Sequence, residues 1–381
     1  MPHSTMSSCC KRMQSLCLGF LLLCLTTTVQ ADVNGSVSPI IGVLAQELYP
    51  DSLTATTYNA TSYIAASYVK FIEGAGGRVV PIWIGRNQSY YEKLLLNLQG
   101  VLLPGGATWF NETLGYGDAG EHLIRIAKQI NDNGTYFPVW GTCLGMELMV
   151  LKVANGSETR SDCNSAGQAL PLEFQADYNS SRLFAGASDE VISALSNENI
   201  TYNYHRFCYT VASFDEPALK DNWRIMSLNH DLQGYEFVST IEHLKYPFYG
   251  VQFHPEKALY EFVSTKVPHT KSAVLASQYF ADFFVNEARQ CPHVFANTTE
   301  QKRSLIYNYN PKYTSLAGSS YTQQYVFNFD VDGDFNDGDD DDSPYPLPYP
   351  YPAGDGAERH SLGLALVITI AFSMFVATQH C

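Results

Sequence analysis

The segment Pro39–Gln46, PIIGVLAQ, is apolar in one unbroken run. A strand with one face in water alternates apolar and polar residues, so a continuous run asks for cover on both faces, as in a parallel sheet flanked by helices. Strand-like segments recur at RVVPIWI (78–84), GVLLPGG (100–106) and FPVW (137–140). Between them, apolar residues fall at helical spacing over Tyr63–Ile72, which ends in a glycine cluster at 74–77, over Tyr90–Leu98 and over Glu121–Ile130. The resulting β-α-β-α-β order predicts an α/β fold: an open, mostly parallel sheet with helices on both faces and its sites at the carboxyl ends of the strands. Further on, Arg224–Asn229 and Glu236–Ile241 read as strands joined by the turn HDLQG, Phe248–Phe253 as another, and Ser272–Ala288 as a closing amphipathic helix. There is no internal repeat.

Within this frame the run FPVWGTCLGMELMVLK passes from strand to helix through Gly141, Thr142, Cys143, Leu144 and Gly145. A nucleophile on so tight a turn needs glycine on either side, where neighbouring chain approaches too closely for a Cβ. The following helix presents its positive end, which predicts a lowered thiol pKa. A thiolate needs a proton-transfer partner. His254 follows a strand and precedes Pro255, so its ring projects from the sheet's carboxyl edge, and Glu256 is near enough to fix its tautomer. The other histidines, including His243, read as surface loop residues, and His205 is treated separately below. The third requirement is a set of donors for a developing oxyanion; the N–H groups of Gly105, Gly106 and Leu144 meet it.

Composition bounds the setting. The net charge of −15 is concentrated in residues 330–357, which hold nine Asp and no Lys or Arg, and no basic patch points to nucleic acid. Asp330, Asp332 and Asp334 have calcium-loop spacing, but Phe335 stands where the loop needs glycine, so the run reads as a solvated spacer. Residues 1–31 have the basic, apolar and small-residue regions of a signal peptide. Sequons at Asn34, Asn59, Asn87, Asn111, Asn133, Asn155, Asn179, Asn199 and Asn297 agree with passage through an oxidising lumen. With Cys143 kept reduced, Cys163, Cys208 and Cys291 allow at most one internal disulfide, of open connectivity. The organisation expected is a signal peptide at 1–31, a catalytic domain at 32–329, an acidic Pro/Tyr-rich stalk at 330–353, and at 354–381 either a GPI-attachment signal or a hydrophobic tail anchor.

FPVWGTCLG, LLPGG and YGVQFHPEK together resemble the class I glutamine amidotransferase fold and, within it, the γ-glutamyl hydrolase family. PIIGVLAQ, YIAASYVKFIE, GRVVPIWI, EFVSTIEH and FFVNEAR extend the similarity over Pro39–Tyr325. The resemblance implies that Cys143 is the nucleophile, His254 the catalytic histidine and Glu256 the third member of a Cys-His-Glu triad. It also implies that His205, in NYHRF, and the less closely matching Arg206 bind substrate. The reaction implied is hydrolysis of a γ-glutamyl amide, foremost in folate poly-γ-glutamates or other γ-glutamyl peptides, through a thioester and with no metal or cofactor; a homodimer is implied too. A polyanionic substrate meeting an acidic body needs local cations, such as Arg206 or Lys257, or an acidic lumen. The acidic stalk and apolar tail depart from the family and add membrane attachment to its secreted, lysosomal or vacuolar settings. Two other readings fit less of the chain. A glutamine amidotransferase would lack its synthase partner here, and a surface binding module would not need the full set of catalytic residues.

Overall fold

The computed structural model describes residues 36–153 and 158–328. The expected signal peptide, stalk and tail lie outside the described residues, as do Asn34 and Asn155.

An eight-stranded sheet carries the molecule. Its strands are β1 (Ile40–Leu44), β2 (Arg78–Ile82), β3 (Gly100–Leu103), β4 (Val139–Thr142), β5 (Glu173–Phe174), β6 (Trp223–His230), β7 (Glu236–His243) and β8 (Phe248–Val251). The spatial order is β2-β1-β3-β4-β8-β7-β6-β5. The first five run parallel, and the last three continue the sheet antiparallel through the hairpin around HDLQG. Pro81 sits on β2, the edge strand, where its missing N–H costs no ladder bond.

The unbroken apolar runs are explained by what they touch. Ile40, Leu44, Val80, Ile82, Val101, Leu103 and Val139 enter one core, while Ile41, Val43, Val79, Leu102 and Trp140 enter the other. Successive strand residues face opposite sides, so each run is needed to fill two layers. The first layer holds α2 (Gln88–Leu95), α3 (Tyr116–Asp132) and α4 (Leu144–Val153). The second holds α1 (Ala66–Gly74), α5 (Asp189–Asn197) and α6 (Lys271–Arg289).

Three expectations need correction. Tyr63 and Ile64 belong to a strand, Ser62–Ala65, and the helix begins only at Ala66. The strand is captured by distant chain, Gln324–Phe327, which pairs with it antiparallel, and this tertiary ladder overrides the local helical spacing. His243 is buried at the end of β7, where its Nδ1 accepts N–H bonds from Lys245 and Tyr246. The third helix starts at Tyr116, five residues before the expected Glu121.

The disulfide left open by the sequence joins Cys163 to Cys208, leaving Cys143 and Cys291 free. It staples a segment inserted between α4 and β6, in which Ser161–Asp162 pairs with Phe207–Cys208 and Gln168–Leu170 with Thr201–Asn203. Among the described residues no helix is long and apolar enough to cross a membrane.

Candidate active site

Cys143 lies between β4 and α4 with φ of +50°, a left-handed conformation that a non-glycine residue adopts at a cost of roughly 1–2 kcal/mol. Two backbone bonds hold it there: its N–H donates to Val251 O on β8 (2.7 Å), and its carbonyl accepts from Glu147 N–H (3.0 Å). The flanking glycines are required by close approach. A Cβ on Gly145 would lie 1.9 Å from Leu103 O, and one on Gly141 would lie 2.7 Å from Gly145's carbonyl group.

His254 follows β8, the strand beside β4. Its Nδ1 is 2.8 Å from Glu256 Oε1 and 3.3 Å from Tyr68 Oη, and all three side chains are buried. An Nδ1–H donated to the Glu256 carboxylate leaves Nε2 as the basic nitrogen. The Pro104–Gly106 loop after β3 completes the cluster. A methyl on Gly105 would sit 2.7 Å from His254 Cε1, 2.8 Å from Tyr68 Oη and 3.2 Å from Cys143 Cβ. Gly105 therefore lies against both Cys143 and the His254 imidazole, where a side chain would not fit.

Of the three expected oxyanion donors, Gly105 has another partner: its N–H donates to Tyr68 Oη at 2.8 Å. The loop is pinned on its other atoms as well. Pro104 O accepts from Gln46 Nε2 and Tyr116 Oη, and Gly105 O accepts from Gln46 Nε2 and Tyr321 Oη. Gln46 fills the space where a Gly106 side chain would go. The N–H of Leu144, first residue of α4, is directed at the Cys143 sulfur.

The expected low thiol pKa is not found. Burial pushes the Cys143 thiol up, and the charge of Glu147 adds to the effect; the Leu144 N–H and the Lys257 cation only partly oppose it. Burial pushes His254 down, against the pull of Glu256. Both effects favour the uncharged forms, thiol and imidazole. The sulfur has weak contacts with Tyr204 O at 4.0 Å and with Gln252 Nε2 at 3.7 Å. Gln252 also donates to Glu147, whose other oxygen pairs with Arg160 at 2.8 Å.

A cleft of about 360 Å³ opens beside this cluster, lined among others by His254, Gly106, Lys257, Tyr202, Tyr204 and Tyr321. His205 is buried and does not line it. Its Nδ1 lies 3.0 Å from Phe207 O, its Nε2 is buried among atoms that give it no hydrogen bond, and burial lowers its pKa to about 4. Arg206 is exposed and does not line the cleft, whereas Lys257 does. Sequence reasoning missed Tyr68, Tyr321, Gln46 and Gln252. Gln46 and Gln252 do carry a signal, each being a polar residue closing an apolar strand run; nothing local marks the tyrosines.

The Peptidase C26 family model matches residues 39–256, and the chain is accordingly a peptidase C26 protein. It is 41% identical to the γ-glutamyl hydrolase of Rattus norvegicus over 82% of this chain and 98% of that one, and 37% identical to the Homo sapiens protein over the same shares. The γ-glutamyl hydrolase B of Dictyostelium discoideum is 35% identical, over 81% of this chain and 88% of that one. The chain belongs to the γ-glutamyl hydrolase family. Among solved structures it is similar to a glutamine amido transferase from Methylobacillus flagellatus, with a TM-score of 0.36 and 10% identity, over 66% of this chain and 94% of that one.

Proposed function

We propose that this protein hydrolyses γ-glutamyl amide bonds, foremost those of folate poly-γ-glutamates, with Cys143 as nucleophile. The observation that carries the reading is the convergence of Cys143, His254 with Glu256, and the Gly106 loop at three adjacent strand ends beside a cation-bearing cleft. As the sulfur bonds to the γ-carbonyl carbon, its proton passes to His254 Nε2. The oxyanion takes N–H bonds from Gly106 and Leu144, while Gly105 serves by having no side chain. His254 then protonates the departing amine as the C–N bond breaks, and water, deprotonated by the same imidazole, opens the thioester. Because burial favours the uncharged thiol and imidazole, the charges that develop during attack need stabilising partners. Glu256 stabilises the imidazolium, and α4 and Lys257 the sulfur.

Incubation of the purified protein with pteroylpolyglutamate, and separately with glutamine, tests this reading. Glutamate release from the polyglutamate is expected, falling to background in a folded Cys143→Ala variant. Ammonia from glutamine without polyglutamate cleavage would favour an amidotransferase, and cleavage persisting in the variant would remove Cys143 from the mechanism.

The secretory setting is part of the proposal. Asn59, Asn87, Asn111, Asn133, Asn179, Asn199 and Asn297 are all exposed, as glycan attachment needs. Asn87 and Asn297 cap helices through Oδ1, which leaves Nδ2 for a sugar. The Cys163–Cys208 disulfide supports an oxidising lumen. A mobility shift on enzymatic deglycosylation tests it.

A further inference from the structure

Lys257 stands out among the charged side chains near the reacting centre. It is 8% exposed, and its Nζ lies 4.9 Å from the ring centroid of Tyr321 and 5.8 Å from that of Tyr202. Among the described residues no carboxylate forms an ion pair with it. Of the nearby carboxylates, Glu256 holds His254 through Oε1 and Glu261 accepts the Thr322 N–H through Oε2 at 2.6 Å; Glu256 Oε2 and Glu261 Oε1 are buried without a hydrogen bond, and Glu261 lines the same cleft. Packed on aromatic faces and lining the cleft, the Lys257 ammonium is placed to donate to an incoming anion. Its charge is felt at Cys143, at His254 and at Glu261.

The direction of the cleft follows from chemistry. His254 and Lys257 line the same space, and His254 is the group that protonates the departing nitrogen. An amine protonated by His254 has this cleft to depart into. When that amine belongs to an amino acid, its α-carboxylate is on the carbon next to the nitrogen, close to the proton donor.

We propose that Lys257 anchors the α-carboxylate of the leaving amino acid, making the enzyme selective for γ-glutamyl bonds to amino acids over γ-glutamyl bonds to neutral amines. The inference rests on the γ-glutamyl hydrolase reading and adds its leaving-group specificity. No bond is made to Lys257; it orients the amine so that the proton from His254 reaches nitrogen as the C–N bond breaks.

The test compares two substrates: pteroyl-γ-glutamylglutamate, and its analogue with the terminal α-carboxylate converted to a carboxamide. Wild type is expected to prefer the carboxylate by about 10- to 100-fold in kcat/KM, the range for one charge-assisted hydrogen bond. Lys257→Met should bring that ratio close to one, and Lys257→Arg should keep part of it. The ratio cancels any general loss, such as a less stable thiolate without the cation, which lowers both substrates alike. A wild-type ratio near one, or an unchanged ratio in Lys257→Met, overturns the proposal while leaving hydrolysis itself intact. Cleavage of neither substrate by wild type overturns the functional reading and this inference with it. Should Lys257→Met not fold, the wild-type ratio and Lys257→Arg decide alone.

Discussion

Cys143, His254 and the Gly105–Gly106 loop stand at the ends of three neighbouring parallel strands, whereas the cleft beside them is walled by chain from elsewhere. Tyr202 and Tyr204 come from the inserted segment, and Ser320 and Tyr321 from the strap that leads into Gln324–Phe327. The reacting centre is fixed by the sheet, with backbone bonds such as Cys143 N–H to Val251 O. The wall is fixed by a disulfide, tyrosine hydroxyls and three short antiparallel ladders. On the proposed mechanism, chemistry sits on the sheet and selectivity on attached parts, which meet the site where the His254 N–H donates to Tyr202 O at 2.8 Å.

Gly105→Ala strikes the reacting centre hardest. The new methyl must displace the His254 ring or the Cys143 elbow, and the loop presenting Gly106 moves with it. Misplacing nucleophile and base together with an oxyanion donor should lower kcat by at least about 10³-fold, with KM little changed. Single-turnover kinetics on folded variant would measure it, and a loss below tenfold would mean the centre is more compliant than its packing indicates.

The wall answers to its staple. Replacing both Cys163 and Cys208 with Ala removes a crosslink between residues 45 apart, expected to cost about 4 kcal/mol of stability by the loop-entropy argument. Denaturant midpoints read that loss. In the variant that remains folded, KM should rise more than kcat falls, because the segment bearing Tyr202 and Tyr204 loosens while the elbow does not. An equal fall in kcat would break the distinction between the two regions.

His205 lies on the same segment and supplies a pH signature. Its pKa is about 4 folded against 6.5 unfolded, so the unfolded chain takes up the proton first as pH drops. Its contribution is complete above pH 6.5 and disappears as pH falls toward 4, a loss of about 3 kcal/mol at pH 4. His205→Gln should remove that slope. Unfolding free energies at pH 7 and pH 4, wild type against variant, would show it; parallel curves would mean that water reaches the buried ring.

The proposed reacting centre is legible in the sequence because each part is local. A Cys between glycines, a His before Pro, and a PGG loop after a strand each announce their backbone geometry within a few residues. The wall is not, because Tyr321 meets Gly105 across 216 positions and Tyr68 meets His254 across 186. Both tyrosines have the composition of ordinary core residues. The thiol pKa was misjudged for a related reason: the helix terminus is visible in the sequence, but the burial that outweighs it is a property of the assembled fold. Arg206, expected to bind substrate, is left exposed by the fold outside the cleft, whereas Lys257, named only as a further local cation, lines it.

Tyr321 is one of the places where the two regions touch: its hydroxyl donates to Gly105 O at 3.3 Å while its ring lies against Lys257. Tyr321→Phe keeps the ring and removes only the hydroxyl. Gly105 O still accepts from Gln46 at 3.0 Å, so the lost bond should cost about 1 kcal/mol, near fivefold in kcat. The preference for a carboxylate leaving group should persist, because the aromatic face under Lys257 is unchanged. A loss above a hundredfold would make the strap part of the catalytic scaffold. A loss of preference without a loss of kcat would place the hydroxyl in the cleft's recognition of the anion, separating the two duties of one side chain.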